Sequence, residues 1–245
     1  MEQISYQPLS DSLSIAVNLT HRFSTDSILL SDFAAPKKSE RACDLCSGCG
    51  IIALSWYRQD AQLGPKLAVG VELEPQASAL MALSIQQNQL AHHVVAVNMD
   101  LKEISPNCHP ALKLQSFDVV TCNPPYQTQG SGLVAGSQRG VARHELECTI
   151  EDVCQAASKL LRFGGRLCIC QRPSRLVDVL AAMRSFGIEP KRLRMVQKNA
   201  DTPPWLFMVE GKKGSKPHMV IDPPVILYHP DGSLTQQAKE IYRYT

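Results

Sequence analysis

No stretch of this 245-residue chain holds the roughly 18 consecutive apolar residues of a membrane span. No membrane partner is therefore expected. Met1-Glu2-Gln3 leads into a polar, broken segment rather than an apolar core with a cleavage site, so no secretory leader is expected either. An excess of one charge is also lacking: the net charge is +2, which argues for no particular partner. There is no internal repeat and no low-complexity segment, which excludes a repeat array. Nine cysteines are present, but a disulfide framework is not expected in a chain of this size without a secretory start. Cys122, Cys168 and Cys170 sit in apolar runs and read as small buried hydrophobes. A reducing cytoplasm fits that usage. No convincing Ser/His/Asp set is found, and His144, beside Arg143 and Glu145, stands alone.

The length suits one large α/β domain, or one domain plus a small appendage. Charge is unevenly spread. Up to Ser158 there are 10 Lys/Arg against 16 Asp/Glu, and from Lys159 onward 15 against 7. An acidic first part and a basic second part allow an anionic partner to dock on one side.

Residues 1–41 read as an extension, with a strand-like alternation at Leu13, Ile15, Val17 and Leu19. A helix is expected to start near Ser24 or Thr25. From residue 42 to 245 the order is β-α-β-α-β-x-β-α-β-α-β, followed by short strands and a helix. That order predicts a doubly wound, Rossmann-like α/β sheet of seven strands, mostly parallel, with an antiparallel strand near the C-terminus. A basic part begins near Arg172. Residues 127–147 form a long polar loop at a strand end, a length that points to function or mobility.

One chemical signal lies between Asp44 and Gly50, after a strand and before a helix. Gly48 and Gly50 allow a ligand to approach the backbone closely. Glu72 closes the next strand, 22 residues beyond Gly50. A carboxylate there accepts hydrogen bonds from ribose hydroxyls in this architecture. Asp100 closes the third strand and can meet an adenine amine. Together they point to an adenosyl cofactor. Gly48-x-Gly50-x-x-Ala53 also matches a dinucleotide fingerprint. Asp44 would face a pyrophosphate unfavourably, however, and suits the ammonium of S-adenosyl-L-methionine. Cys43, Cys46 and Cys49 are spaced as in part of an iron–sulfur site, but the completing Cys-x3-Cys-Pro is absent and no paired cysteines lie elsewhere. No metal is expected.

The second signal is Phe117 to Tyr126, a buried strand ending in Asn123-Pro124-Pro125-Tyr126. The prolines stop the strand and hold Asn123 extended at its carboxyl end. The Asn123 side-chain oxygen and the Pro124 carbonyl can accept the two N–H groups of a planar amine. The nitrogen lone pair is then aimed at a methylsulfonium, and the Tyr126 ring can stack on a flat substrate.

These residues resemble the class I S-adenosylmethionine-dependent methyltransferases of exocyclic amino nitrogens. They resemble more closely the bacterial family that forms N6-methyladenosine at position 37 of a valine tRNA. The likeness covers most of the chain: Phe23 to Leu30, Asp44 to Leu54, Phe117 to Tyr126, Ala142-Arg143-x-Glu145, Arg172 to Leu176 and Lys191 to Leu193. Cys46 stands where that family usually has glycine, a replacement that is tolerated if its backbone avoids positive φ. The resemblance implies cofactor contacts at Asp44, Cys46, Gly48, Gly50, Glu72, Leu73, Asp100, Leu101 and Asn123. It implies catalysis at Asn123, Pro124, Pro125 and Tyr126. A tRNA partner implies phosphate contacts among Arg139, Arg143, Arg172, Arg175, Lys191, Arg192, Arg194, Lys212, Lys213 and Lys216. No obligate protein partner is implied.

Other readings use the same motif. Protein glutamine-N5 methyltransferases share Asn-Pro-Pro-Tyr but usually carry a sizeable helical domain before the cofactor loop. DNA adenine methylation and a non-catalytic RNA-binding role are further alternatives. A nicotinamide oxidoreductase lacks support, because nothing resembles a hydride-transfer site.

Overall fold

The computed structural model describes residues 3–124 and 148–242. Pro125, Tyr126, Arg139, Arg143 and the expected loop 127–147 lie outside them.

The chain opens with an antiparallel hairpin, β1 (Ser5–Pro8) and β2 (Ser14–Val17). Helix α1 (Thr25–Ala34) follows, with Ser24 as its N-cap residue. Then come β3 (Arg41–Leu45), α2 (Ile51–Ser55), β4 (Leu67–Glu72), α3 (Pro75–Gln87), β5 (Val94–Asn98) and β6 (Phe117–Cys122). After residue 148 follow α4 (Ile150–Leu160), β7 (Leu161–Gln171), α5 (Leu176–Ser185), β8 (Ile188–Gln197) and β9 (Leu206–Lys213). Two-residue strands β10 (Val220–Ile221) and β11 (Val225–Ile226) and helix α6 (Gln236–Tyr242) end the described chain.

The main sheet runs β10-β8-β9-β7-β6-β3-β4-β5, with β11 also paired to β8. It has nine strands rather than seven. The difference is β10 and β11, which both join the outer edge of β8 in parallel. Such short strands are held by the unpaired backbone groups that an edge offers, not by a pattern of their own. Strand β9 is antiparallel to both β7 and β8, and the other pairings are parallel.

Successive strand residues point to opposite faces, and both faces are covered. Ala42, Ala68 and Val119 pack with α1, α2, α3 and α6. Cys43, Val69, Val71 and Val120 pack with α4 and α5. Each fully buried valine or leucine contributes about 1.5–3 kcal/mol, which explains why the strands at the middle of the sheet read as unbroken apolar runs. Local signals fix the helix starts. Pro75 takes the first turn of α3, and Thr149 with Asp152 forms a capping box on α4. No described helix is long and apolar enough to cross a membrane. Parallel β3, β4, β5 and β6 all end on one rim of the sheet, where Asp44, Glu72, Asp100 and Asn123 collect.

Candidate active site

A cavity of about 330 Å³ opens on that rim. Cys46, Gly48, Glu72, Leu73, Asp100, Leu101 and Asn123 line it. So do His21, Arg22, Glu74, Ala77, Met99 and Cys148, which the sequence did not single out. The acidic strand ends are fixed by backbone donors. Gly48 N–H donates to Glu72 Oε2 at 2.7 Å, and Glu74 N–H donates to Oε1 at 2.8 Å. Asp100 accepts from Lys102 N–H at 2.9 Å, where it caps a single 3-10 turn. Each carboxylate oxygen keeps acceptor capacity for a ligand.

Asp44 lies behind this lining, only 1% exposed. Its Oδ1 accepts from Thr121 Oγ1 of the neighbouring strand at 2.7 Å, while its Oδ2 is buried without a hydrogen-bond partner. Burial pushes the Asp44 carboxyl up to about 7, although the Thr121 and Ser47 hydroxyls pull the other way. In the sequence Thr121 reads as one more β-branched strand residue. The structure gives it a polar partner.

The turn after β3 has three left-handed residues: Cys46 (φ 55°), Gly48 (φ 56°) and Gly50 (φ 89°). Cys46 thus takes the positive φ that its replacement of glycine was to avoid. A side chain in this region costs about 1–2 kcal/mol. The Cys46 sulfur lies 4.0 Å from that of Cys148. The Cys122 thiol raises the Cys46 pKa well above the ordinary value, and burial pushes Cys122 up to about 11. The cluster is therefore thiol rather than thiolate near neutrality, which makes it unreactive. Gly50 does not line the cavity. A Cβ on it would lie 2.6 Å from Met81 Cγ, so this glycine lets α3 close on the turn. Cys43 and Cys49 pack into the cores on opposite faces of the sheet, so the three evenly spaced cysteines diverge.

Asn123 leaves β6 into the cavity with its amide held at both ends. Its Nδ2 donates to Ser27 Oγ of α1 at 2.8 Å. Its Oδ1 lies 3.1 Å from the Cys170 thiol of β7. Pro124 is buried behind it.

The basic residues do not form one surface. Arg172 lies on the site rim, stacked 5.2 Å from the Trp205 ring and donating to its carbonyl. Arg175 begins the next helix, paired with Asp178 at 2.7 Å. Arg192 is used internally, over the Phe33 ring at 4.1 Å and beside Glu210 and Asp222. Arg194 donates to the Pro223 carbonyl and Lys191 to the Lys216 carbonyl. Lys212 and Lys213 continue β9 rather than forming a turn. Because β9 is antiparallel, Lys212 pairs with Arg166 while Phe207 pairs with Gln171. That puts Lys212, Lys213 and the following Lys216 at the far rim, about 17 Å down the strand from the site. Lys213 also donates to the Ser158 and Leu161 carbonyls, and burial lowers its pKa.

The methyltransferase small domain family matches residues 23–183, about two thirds of the chain. The chain belongs to that family. It is related to the bacterial tRNA1(Val) (adenine(37)-N6)-methyltransferases. The one from Histophilus somni (strain 129Pt) is 35% identical over 145 residues, covering 58% of this chain and 57% of that protein. The one from Porphyromonas gingivalis (strain ATCC BAA-308 / W83) is 28% identical over 200 residues, covering 74% and 76%. The match thus spans little more than half the length of the first relative. Among solved structures, a predicted O-methyltransferase from Agrobacterium tumefaciens superposes with a TM-score of 0.70 at 17% identity, over 89% of this chain and 95% of that one. M. jannaschii TYW2 in complex with AdoMet gives 0.56 at 15% identity, over 86% of each chain. These likenesses show the same fold.

The cofactor is S-adenosyl-L-methionine, and the residues present fit it. The unpartnered Asp44 Oδ2 is an acceptor held dry, which suits a cationic group. Nothing lies within 4 Å of a Cβ placed on Gly48, so the cavity reaches the backbone there.

Proposed function

We propose that this protein transfers a methyl group from S-adenosyl-L-methionine to the N6 amine of an adenosine in tRNA, at the anticodon-loop position 37 of a valine tRNA. The observation that carries this reading is Asn123. It is the only side chain of the amine-binding motif within the described lining of the cofactor cavity, and Ser27 and Cys170 fix its amide plane. The curated relatives are named for this reaction.

The cofactor supplies an electrophilic methyl group. Asp44, Gly48, Glu72, Leu73, Asp100 and Leu101 bind and orient it, and Cys46 and Gly50 shape the turn above it. Asn123 Oδ1 accepts one N–H of the adenine amine. The Pro124 carbonyl accepts the other. The amine nitrogen is thereby aimed, its proton leaves to water after transfer, and no strong base is required. Pro125 and Tyr126 complete the base site. An adenine in a single-stranded loop turns outward at little cost. Arg172 and Arg175 are assigned to the RNA backbone because they border the same rim, whereas Lys212, Lys213 and Lys216 face away from it.

The test uses purified protein, tritiated S-adenosylmethionine and small RNA from a strain lacking the gene, with labelled RNA digested to nucleosides. Label in N6-methyladenosine, abolished by Asn123→Ala, supports the reading. Label in no nucleic acid, despite bound cofactor, overturns it in favour of a protein amide acceptor.

A further inference from the structure

A buried imidazole borders the cavity without serving any role described so far. His21 is nine-tenths buried at its side chain. Its Nδ1 faces Glu74 Oε2 at 3.5 Å, and its Nε2 is buried with no hydrogen-bond partner. Both residues line the cavity next to Glu72.

Their meeting is built into the fold. Asn18 closes a tight turn after β2, accepting from His21 N–H at 2.6 Å and from Thr20 N–H at 3.1 Å. Strand β2 is fastened to α3 by side chains: Ala16 N–H donates to Ser84 Oγ, and Asn88 bonds both the N–H and the carbonyl of Ser14. Glu74 is the residue that precedes α3. The hairpin thus carries His21 to the start of α3 and holds it there.

We propose that His21 is a cofactor-binding residue whose Nε2 accepts a hydrogen bond from a ribose hydroxyl. The assignment rests on S-adenosyl-L-methionine occupying this cavity. A proton on Nδ1 points at Glu74, and Nε2 of that tautomer is an acceptor. An acceptor buried without a partner is costly, and the ligand that completes it must bring a donor. S-adenosyl-L-methionine carries three sets of donors: the adenine amine, the ribose hydroxyls and the methionyl ammonium. Asp100 suits the adenine amine and Asp44 suits the ammonium. The hydroxyls remain, and they belong beside Glu72, where His21 stands. Glu74 is then a positioning residue that acts through the ring. Glu72 and His21 together give the ribose two acceptors for its two hydroxyl protons.

The experiment measures calorimetric affinity for S-adenosylhomocysteine and for its 2′-deoxy and 3′-deoxy analogues. Wild-type protein, His21→Ala, His21→Gln and Glu74→Gln are compared. His21→Ala is expected to weaken the parent ligand about tenfold, as for one lost hydrogen bond. For one of the two deoxy analogues the His21→Ala penalty should vanish, since the donor is already gone. His21→Gln retains an acceptor and should recover most of the affinity. Glu74→Gln should weaken the parent ligand about threefold. An equal loss for all three ligands in His21→Ala would mean a structural role and overturn the assignment, as would an unchanged affinity. Wild-type protein that binds none of the ligands would overturn the cofactor reading and this assignment together.

Discussion

Cofactor affinity should rise with pH across neutrality, and Asp44 should be the reason. In the free protein its carboxyl titrates at about 7, because burial penalises the charged form. A cationic group against the unpartnered Oδ2 reverses that preference. Binding then requires the ionised form and expels a proton from any molecule that still holds one. If the bound carboxyl returns to about 4, one proton is released per binding event well below pH 7. Affinity would fall about tenfold from its plateau by pH 6 and about 100-fold by pH 5. The same group acts oppositely on the free protein's stability. Its folded pKa is raised above the unfolded value of 3.8, so its stabilising contribution is complete below pH 3.8 and is lost as pH rises through about 7. That loss is of order 4 kcal/mol at about 1.4 kcal/mol per pH unit. Cofactor should therefore raise the unfolding temperature more at pH 8 than at pH 5.5. Titration calorimetry at pH 5–8.5, in buffers of different ionisation enthalpy, reads both affinity and proton release. Asp44→Asn removes the titration and should flatten both. A pH-independent affinity with no proton released in the wild type would refute the reasoning.

Three further outcomes follow from other residues. Cys46→Gly should relieve the left-handed backbone and raise stability by about 1 kcal/mol, or about 2–4 °C in Tm; a lowered Tm would mean that the Cys46–Cys148 contact outweighs the backbone cost. Ser27→Ala should release one end of the Asn123 amide and lower kcat about tenfold while calorimetry finds cofactor affinity unchanged. Arg172→Ala should weaken tRNA binding and reduce the slope of log affinity against log salt by about 1, whereas Lys212→Ala with Lys216→Ala should change neither in a filter-binding titration.

The strands were legible where burial on both faces writes an unbroken apolar run. Phe117–Cys122 is such a case, stopped by proline, and its bounds agree in sequence and structure. Strand β7 was not legible at its start. It begins at Leu161, and the irregular register between Phe117 and Val119 lets Arg162 and Phe163 point to solvent within it. The carboxylates at strand ends were readable because a short acidic residue after an apolar run has few other reasons to be there. His21 and Glu74 were not, since they are 53 positions apart and meet only because β2 docks on α3. The rim that the lysines occupy was not legible for a related reason. Charge is visible in a sequence, but the rim a lysine occupies depends on strand direction, and β9 runs backward.

The clamp on Asn123 has a consequence for how the molecule comes into being. Its two anchors, Ser27 and Cys170, are 143 residues apart, on an early helix and a late strand. Neither the amino-terminal nor the carboxyl-terminal half can orient the amide alone. During refolding, or as the chain leaves the ribosome, the cofactor half can become compact before β7 exists, yet the acceptor half of the site cannot. Enzymatic turnover therefore counts only molecules in which α1, β6 and β7 have come together, and its recovery time reports that joining.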